Sequence, residues 1–269
     1  TANEDDERQR SSNCTTLYQV FSPALKPIAA SEQAQPALRA RALECLALLG
    51  TAAGRDVFGT DALELVRVVT TDYFDPSRRR AEDDDERATA LKSVVMVADC
   101  LQADFAPFLH TVVPALLEAA DKDDFSAAAN CFEGDDQDEE TFMVRTEALE
   151  EQASAVRLMA RLAESLGSRF ADYVHRCLAS FAPLSTNSLH EDVRQYAAIA
   201  GPGLVACVAM KEHDDALLTG DASCSSAEGW SSYEPTETRK AAIFAVDALL
   251  EAITSEEERD PRLALLQAL

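Results

Sequence analysis

The amino-acid sequence predicts an all-α fold, an α-solenoid of stacked antiparallel helix pairs that coils as a right-handed superhelix. Three observations predict it: apolar residues recur with a helical period, the composition favours helices, and a helix pair recurs along the chain. Hydrophobic residues make up 47% of the 269 residues, which suffices for a continuous core, and glycine occurs only 9 times. Runs of β-branched and aromatic residues are short, so a sheet has little support.

Apolar side chains fall every three or four residues through most of the chain, as they do on one face of an α-helix. Alternation with a period of two, which a half-buried strand requires, does not occur. We therefore expect almost pure helix and no sheet. The predicted helices cover roughly 15–30, 36–53, 55–73, 86–102, 105–120, 145–167, 169–183, 190–210 and 235–254.

Two spacings indicate that whole helix pairs repeat. Phe105 begins a motif that recurs at Phe170, 65 residues later, and Phe58 lies 47 residues before Phe105. A period of 47 lies at the top of the range for HEAT repeats. The 18 extra residues of the longer spacing are close to the length of the acidic insertion at 121–141. The pattern predicts HEAT repeats, with the three phenylalanines buried at equivalent positions where successive second helices begin.

The predicted organisation is a single HEAT-repeat solenoid fragment over 1–269, with about five helix pairs. An acidic insertion loop is expected at 121–144 and a polar insertion at 212–233. Because the chain opens at Thr1 without methionine, we interpret it as a piece of a longer protein. Stacked pairs form a long concave surface and no closed pocket, which favours protein binding over catalysis.

The charge balance indicates the class of partner. The chain carries 48 acidic and 24 basic residues, for a formal net charge of −24. Such a surface repels nucleic-acid phosphates and anionic lipids and attracts basic proteins. We expect no direct nucleic-acid or membrane partner, and no apolar run approaches the length of a membrane span. The alternative interpretation is that the acidity only keeps the protein soluble.

Neither a metal site nor catalysis is predicted. The seven cysteines form no CxxC motif, and most lie among apolar residues, as in a protein from a reducing compartment. His175, Cys177 and His190 are close in sequence, but their spacing supports a zinc site only weakly. A nucleophile elbow and a glycine-rich phosphate loop are both missing, so we expect neither enzymatic activity nor a cofactor.

Several segments resemble the middle of importin-β superfamily karyopherins, and most of all the importin-five type. The resemblance covers about 15–210 and includes the acidic insertion, but it stops beyond 212. The matching segments occur in the family's order, and they are Leu38–Gly50, Gly54–Phe58, Leu149–Ala155, Phe170–Tyr173 and His190–Arg194.

This resemblance implies a nuclear transport receptor that shuttles between cytoplasm and nucleus. Such receptors bind the basic localisation signals of protein cargo on the concave side and Phe-Gly nucleoporins on the convex side, and the Ran GTPase in its GTP form releases import cargo. The alternative function is a HEAT-repeat scaffold outside transport, such as a phosphatase regulatory subunit or an assembly platform.

The candidate partner-binding residues are acidic side chains on predicted second helices and in the acidic insertion. Carboxylates form charge-assisted hydrogen bonds with lysine and arginine, so these residues fit a basic cargo signal. The alternative is that the helix positions are a solvated face and the insertion is a spacer. The candidates are Asp61, Glu64, Asp72, Glu118, Asp121, Glu133, Asp135, Asp136, Asp138, Glu139 and Glu140.

Overall fold

The structure is a computed structural model that describes residues 2–31, 33–74, 84–121, 139–187, 191–219 and 237–255. Within these ranges the regular elements are helices, and no strand occurs. This confirms the predicted all-α fold. The chain divides into two compact units, Thr1–Ala115 and Leu116–Leu269. The arrangement as one solenoid of about five pairs stays a prediction.

Among its described residues, the first unit contains four α-helices and a 3-10 helix. They are α1 (Ala2–Ala29), α2 (Pro36–Ala53), α3 (Arg55–Asp72), α4 (Asp84–Leu101) and the 3-10 helix Gln102–Phe108. The helix α5 (Leu109–Ala120) begins in this unit and ends in the next. Helix α2 packs on both α1 and α4. Helices α2 and α4 are the first helices of neighbouring pairs, so their contact is the one expected in a stacked repeat.

Local sequence explains the sharp junction between α2 and α3. Pro36 occupies the first turn of α2, where its missing N–H is not needed. Gly54 ends the helix with a φ of 88°, and its N–H donates to the carbonyls of Gly50 and Thr51. Left-handed backbone suits glycine, so α3 starts again at the next residue, Arg55.

The second unit repeats this architecture. Its described residues form α6 (Glu139–Leu166), the 3-10 helix Gly167–Tyr173, α7 (Val174–Asn187), α8 (Glu191–Thr219) and α9 (Glu237–Ser255). Helix α6 packs on α8, and α7 packs on α9. Each helix therefore contacts the equivalent helix of the next pair, which is how a repeat array builds a shared core.

The three repeat phenylalanines are buried, as predicted. Phe58 is 1% exposed, and Phe105 and Phe170 are both fully buried. The predicted α-helical start is wrong for two of them, because Phe105 and Phe170 lie in the 3-10 helices that precede α5 and α7. Each contacts the aromatic ring three residues on, Phe108 or Tyr173, with centroids 6.0 and 5.9 Å apart.

Helices extend into both predicted insertions, which corrects their boundaries. Helix α6 begins at Glu139, so the insertion predicted at 121–144 is helical over its last six residues. Helix α8 continues to Thr219, so the first part of the segment 212–233 is helical too. Residues 122–138 and 220–236 lie outside the described residues. A run of charged residues obscures the apolar stripe, which is why pattern alone placed both helix ends wrongly.

Two helical stretches pass a membrane-span test by length and composition, contrary to our expectation. Glu86–Ala120 and Glu191–Leu218 each contain an 18-residue window with mean hydropathy 1.3. In both, 44% of that window is buried inside the protein. Core helices of a stacked repeat are apolar on more than one face, so they reach the same hydropathy without a membrane.

Candidate partner-binding site

A groove in the first unit contains two of the predicted carboxylates. It lies between α1, α2 and α3 and has a cavity volume of about 140 Å³. Its floor is apolar and buried, and carboxylates and a lysine line its edge. The floor includes Leu43, Leu46, Phe58 and Leu65, and the polar lining residues are Tyr18, Lys26, Asp61 and Glu64.

Packing around Phe58 positions the floor of this groove. The Phe58 ring meets Tyr18 edge-on, with centroids 5.5 Å apart and planes at 68°. It also lies directly against Gly50 of α2, where any Cβ would overlap the ring. The small residue therefore allows α3 to approach α2 closely enough for the aromatic pair to bridge α1 and α3.

Asp61 holds two side chains of α1 at the groove edge. Tyr18 Oη donates to Asp61 Oδ2 at 2.5 Å, and Lys26 Nζ pairs with the same oxygen at 2.6 Å. Burial would raise the pKa of Asp61, but the bonds from Lys26 and Tyr18 outweigh burial and lower it below its usual value. Burial, with the Asp61 bond and charge, raises the pKa of Tyr18. At neutral pH the carboxylate is thus charged and already has partners.

Glu64 is the open carboxylate of the groove. It lies one turn after Asp61 on α3, and its side chain is exposed. Within the described part of the chain it forms neither a hydrogen bond nor an ion pair. The structure thus brings Asp61 and Glu64 together on one groove, with one carboxylate engaged and one exposed.

Asp72 is engaged away from the groove, at the end of α3. Its Oδ2 accepts from Arg39 Nη2 at 2.6 Å, and both side chains are largely buried, at 14% exposed for Arg39 and 22% for Asp72. The Arg39 guanidinium also lies over the Tyr73 ring, 5.6 Å from its centroid. This contact joins α2 to the end of α3, which indicates a structural role for Asp72.

The second unit contains the candidates Glu118 and Asp121, both exposed. Asp121 Oδ1 accepts a hydrogen bond from Ser180 Oγ of α7 at 2.5 Å. Close by in sequence, the carbonyl of Ala120 accepts from Gln152 Nε2 of α6 at 2.6 Å. Asp121 therefore helps to fix the end of α5 onto the next pair, while its exposed side still faces solvent.

The remaining predicted residues lie in or beside the acidic insertion. Glu139 and Glu140 are the first two residues of α6, and only their backbone is described. Four further candidates lie outside the described residues, namely Glu133, Asp135, Asp136 and Asp138.

Sequence reasoning missed the basic and phenolic side chains that contact the predicted acids. Tyr18 and Lys26 are 43 and 35 positions from Asp61 along the chain, and Arg39 is 33 from Asp72. A helical period predicts which face is buried but not which polar groups meet across helices.

Two cysteines of the described helices, Cys177 and Cys207, are core residues, whereas Cys45 is exposed. Cys177 is fully buried, and burial raises the pKa of its thiol to about 12. Cys207 is 2% exposed, and burial raises its pKa to about 11. Among the described residues, no group of three or more His, Cys, Asp or Glu side chains is placed to hold a metal ion. His190 of the weakly supported zinc trio lies outside them.

The sequence relatives are importins. No family model matches the chain. It is 28% identical over 140 residues to a probable importin-5 homolog of Dictyostelium discoideum, covering 52% of this chain and 12% of that protein. It is 29% identical over 184 residues to importin subunit beta-3 of Saccharomyces cerevisiae, covering 64% of this chain and 16% of that protein. The chain thus spans about an eighth to a sixth of these relatives.

Solved karyopherin structures have the same fold. Kap121p bound to RanGTP superposes with a TM-score of 0.57 at 22% identity, covering 97% of this chain and 26% of that one. Kap121p bound to Ste12p and Kap121p bound to Nup53p each give 0.56 at 21% identity over 94% of this chain and 25% of theirs. The resemblance to the importin-β superfamily, and the HEAT-repeat architecture, are confirmed.

Proposed function

We propose that this chain is a segment of a nuclear transport receptor that binds protein cargo carrying basic localisation signals. The parent protein is bound by Ran in its GTP form and by Phe-Gly nucleoporins, and it shuttles between cytoplasm and nucleus. The observation that carries the proposal is the chain-wide match to karyopherins, in which this segment corresponds to about a quarter of Kap121p.

The relatives support each class of partner. Solved structures contain Kap121p with RanGTP, with the proteins Ste12p and Ulp1p, and with Nup53p. No relative or structure described above is a phosphatase subunit, so the karyopherin function is favoured over a scaffold outside transport.

The groove supports a basic ligand in particular. Its apolar floor suits the hydrocarbon stem of a lysine or arginine, and Glu64 at its edge suits the charged head. The net charge of −24 adds a long-range attraction that speeds encounter with a cationic signal. No nucleic acid or membrane is needed in this account, since the same field repels phosphates.

Titration of a fluorescein-labelled lysine-rich peptide against the purified chain tests the proposal. We expect binding that weakens steeply as salt rises, because the Debye length shortens from about 10 Å at 0.1 M to about 3 Å at 1 M. Adding Ran loaded with GTP to the full-length receptor is expected to release the peptide, and Ran loaded with GDP is the control. Equal binding of a peptide with glutamine in place of lysine would contradict the proposal.

A further inference from the structure

Lys26 occupies the groove in the way that a partner's lysine would. Its ammonium pairs with Asp61 Oδ2 at 2.6 Å and lies 6.0 Å from the centroid of the Tyr18 ring. Its side chain lines the groove together with Asp61 and Glu64. The groove therefore already contains a cation with an apolar stem, supplied by the chain itself.

The ion pair between Lys26 and Asp61 is exposed enough for the cation of a ligand to replace Lys26. Lys26 is 46% exposed and Asp61 is 32% exposed, so water reaches both partners. Ion pairs with this exposure are weak, so a competing ligand can break this one. Tyr18 Oη also donates to Asp61 Oδ2 at 2.5 Å, and this bond does not depend on Lys26.

We propose that Lys26 is an internal competitor of the basic ligand, which must displace the Lys26 ammonium from Asp61 before its own cation engages Asp61 and Glu64. This inference rests on the proposed function. In the resting groove one lysine offsets part of the charge of two carboxylates. A ligand with a single cation pairs only with Glu64, because Lys26 still occupies Asp61. A ligand with adjacent cations displaces Lys26 and pairs with both carboxylates. The competitor therefore selects for signals with clustered basic residues.

The test compares Lys26→Met with the matched variant Lys211→Met. Lys211 is 42% exposed and also pairs with an aspartate, Asp172. Both changes remove one positive charge from the chain and keep an apolar stem. The probe is a fluorescein-labelled peptide of alternating lysine and glycine, titrated by anisotropy at about 0.15 M salt, where the Debye length is about 8 Å.

We expect Lys26→Met to raise affinity about two- to fivefold, the range set by loss of a partly exposed ion pair. Lys211→Met should change it by less than about 1.5-fold, since it adds only diffuse negative charge. Lys26→Arg keeps the internal cation, so it should show less of this gain than Lys26→Met. Two results would overturn the inference about Lys26 and leave the proposed function standing. One is an equal gain in affinity in both methionine variants, and the other is no gain in Lys26→Met although the wild type binds the probe. Failure of every variant to bind the probe would overturn both.

Discussion

Gln102 and Gly167 stand 65 residues apart, and both have left-handed backbone at the same point of the repeat. Their φ angles are 46° and 53°, and each is the first residue of a seven-residue 3-10 helix. Gly54 has the same role between α2 and α3, with a φ of 88°. One left-handed residue thus turns the chain between the two helices of three described pairs, and at Gln102 a side chain makes that turn costly.

Replacing Gln102 with glycine should therefore stabilise the protein. The left-handed region costs a residue with a Cβ about 1–2 kcal/mol, and glycine avoids this cost. Glycine also makes the unfolded chain more flexible, which lowers the free energy of unfolding by about 0.5–1 kcal/mol and offsets part of the gain. We expect Gln102→Gly to raise the free energy of unfolding by up to about 1 kcal/mol, measured by urea denaturation.

Ala103→Gly is the matched control at the next position, which is exposed and does not have a positive φ. It should lower the free energy of unfolding by about 0.5–1 kcal/mol, because only the flexibility of glycine is added. Destabilisation by both changes would show that the backbone at Gln102 is not strained.

The contact between Gly50 and Phe58 should tolerate no side chain. A Cβ at Gly50 would overlap the Phe58 ring, which is only 1% exposed. Gly50→Ala should cost about 1–3 kcal/mol, as overpacking does in a filled core. Gly59, the neighbour of Phe58 on α3, has only an ordinary contact to Arg55 Cγ at 3.6 Å.

Gly59→Ala is therefore expected to stabilise the same helix by about 0.5–1 kcal/mol. Urea midpoints of the two variants should move in opposite directions. If Gly50→Ala were as stable as the wild type, the ring would not pack against α2 as described.

The buried thiol of Cys177 should make stability fall at alkaline pH. Burial raises its pKa to about 12 in the folded protein, whereas an unfolded thiol titrates near about 8.5. The folded state thus holds its proton more tightly. The resulting stability is complete below about pH 8.5 and is lost as pH rises toward about 12.

Between about pH 8.5 and pH 10 this thiol should remove about 1–2 kcal/mol of stability. In Cys177→Ala the decline over that window should be shallower by this amount, even though the substitution lowers stability at every pH. Cys45→Ala removes an exposed thiol of α2 and should leave the slope unchanged. Equal slopes in all three proteins would mean that Cys177 reaches solvent.

Helix ends were predicted correctly where a proline or a glycine flanks the apolar stripe. Pro36 and Gly54 bracket α2, and its predicted range matches Pro36–Ala53. The 3-10 helices were not predicted, because spacings of three and four residues are shared by both helix types over a single turn. The start of α6 at Glu139 was missed because its first turns read as part of an acidic loop.

The candidate site was predicted only in part. Acidic positions on α3 could be found from charge and helical period, and they include Asp61 and Glu64 of the groove. That Asp61 contacts Tyr18 and Lys26 and that Asp72 contacts Arg39 depends on tertiary packing between helices. Single-sequence patterns contain no information on such pairings across 33 to 43 residues.

The central claim is that the groove carboxylates, and not the overall acidity, bind basic signals. Peptide titration of Asp61→Asn/Glu64→Gln against Glu150→Gln/Glu164→Gln tests it most directly, since both double variants remove two negative charges and the second pair is exposed on α6. Urea denaturation verifies that both are folded. We predict that the groove variant loses at least about tenfold in affinity, or about 1.4 kcal/mol, and that the α6 variant loses less than about twofold. Equal small losses in the two would contradict the account, because they would show that the attraction is diffuse.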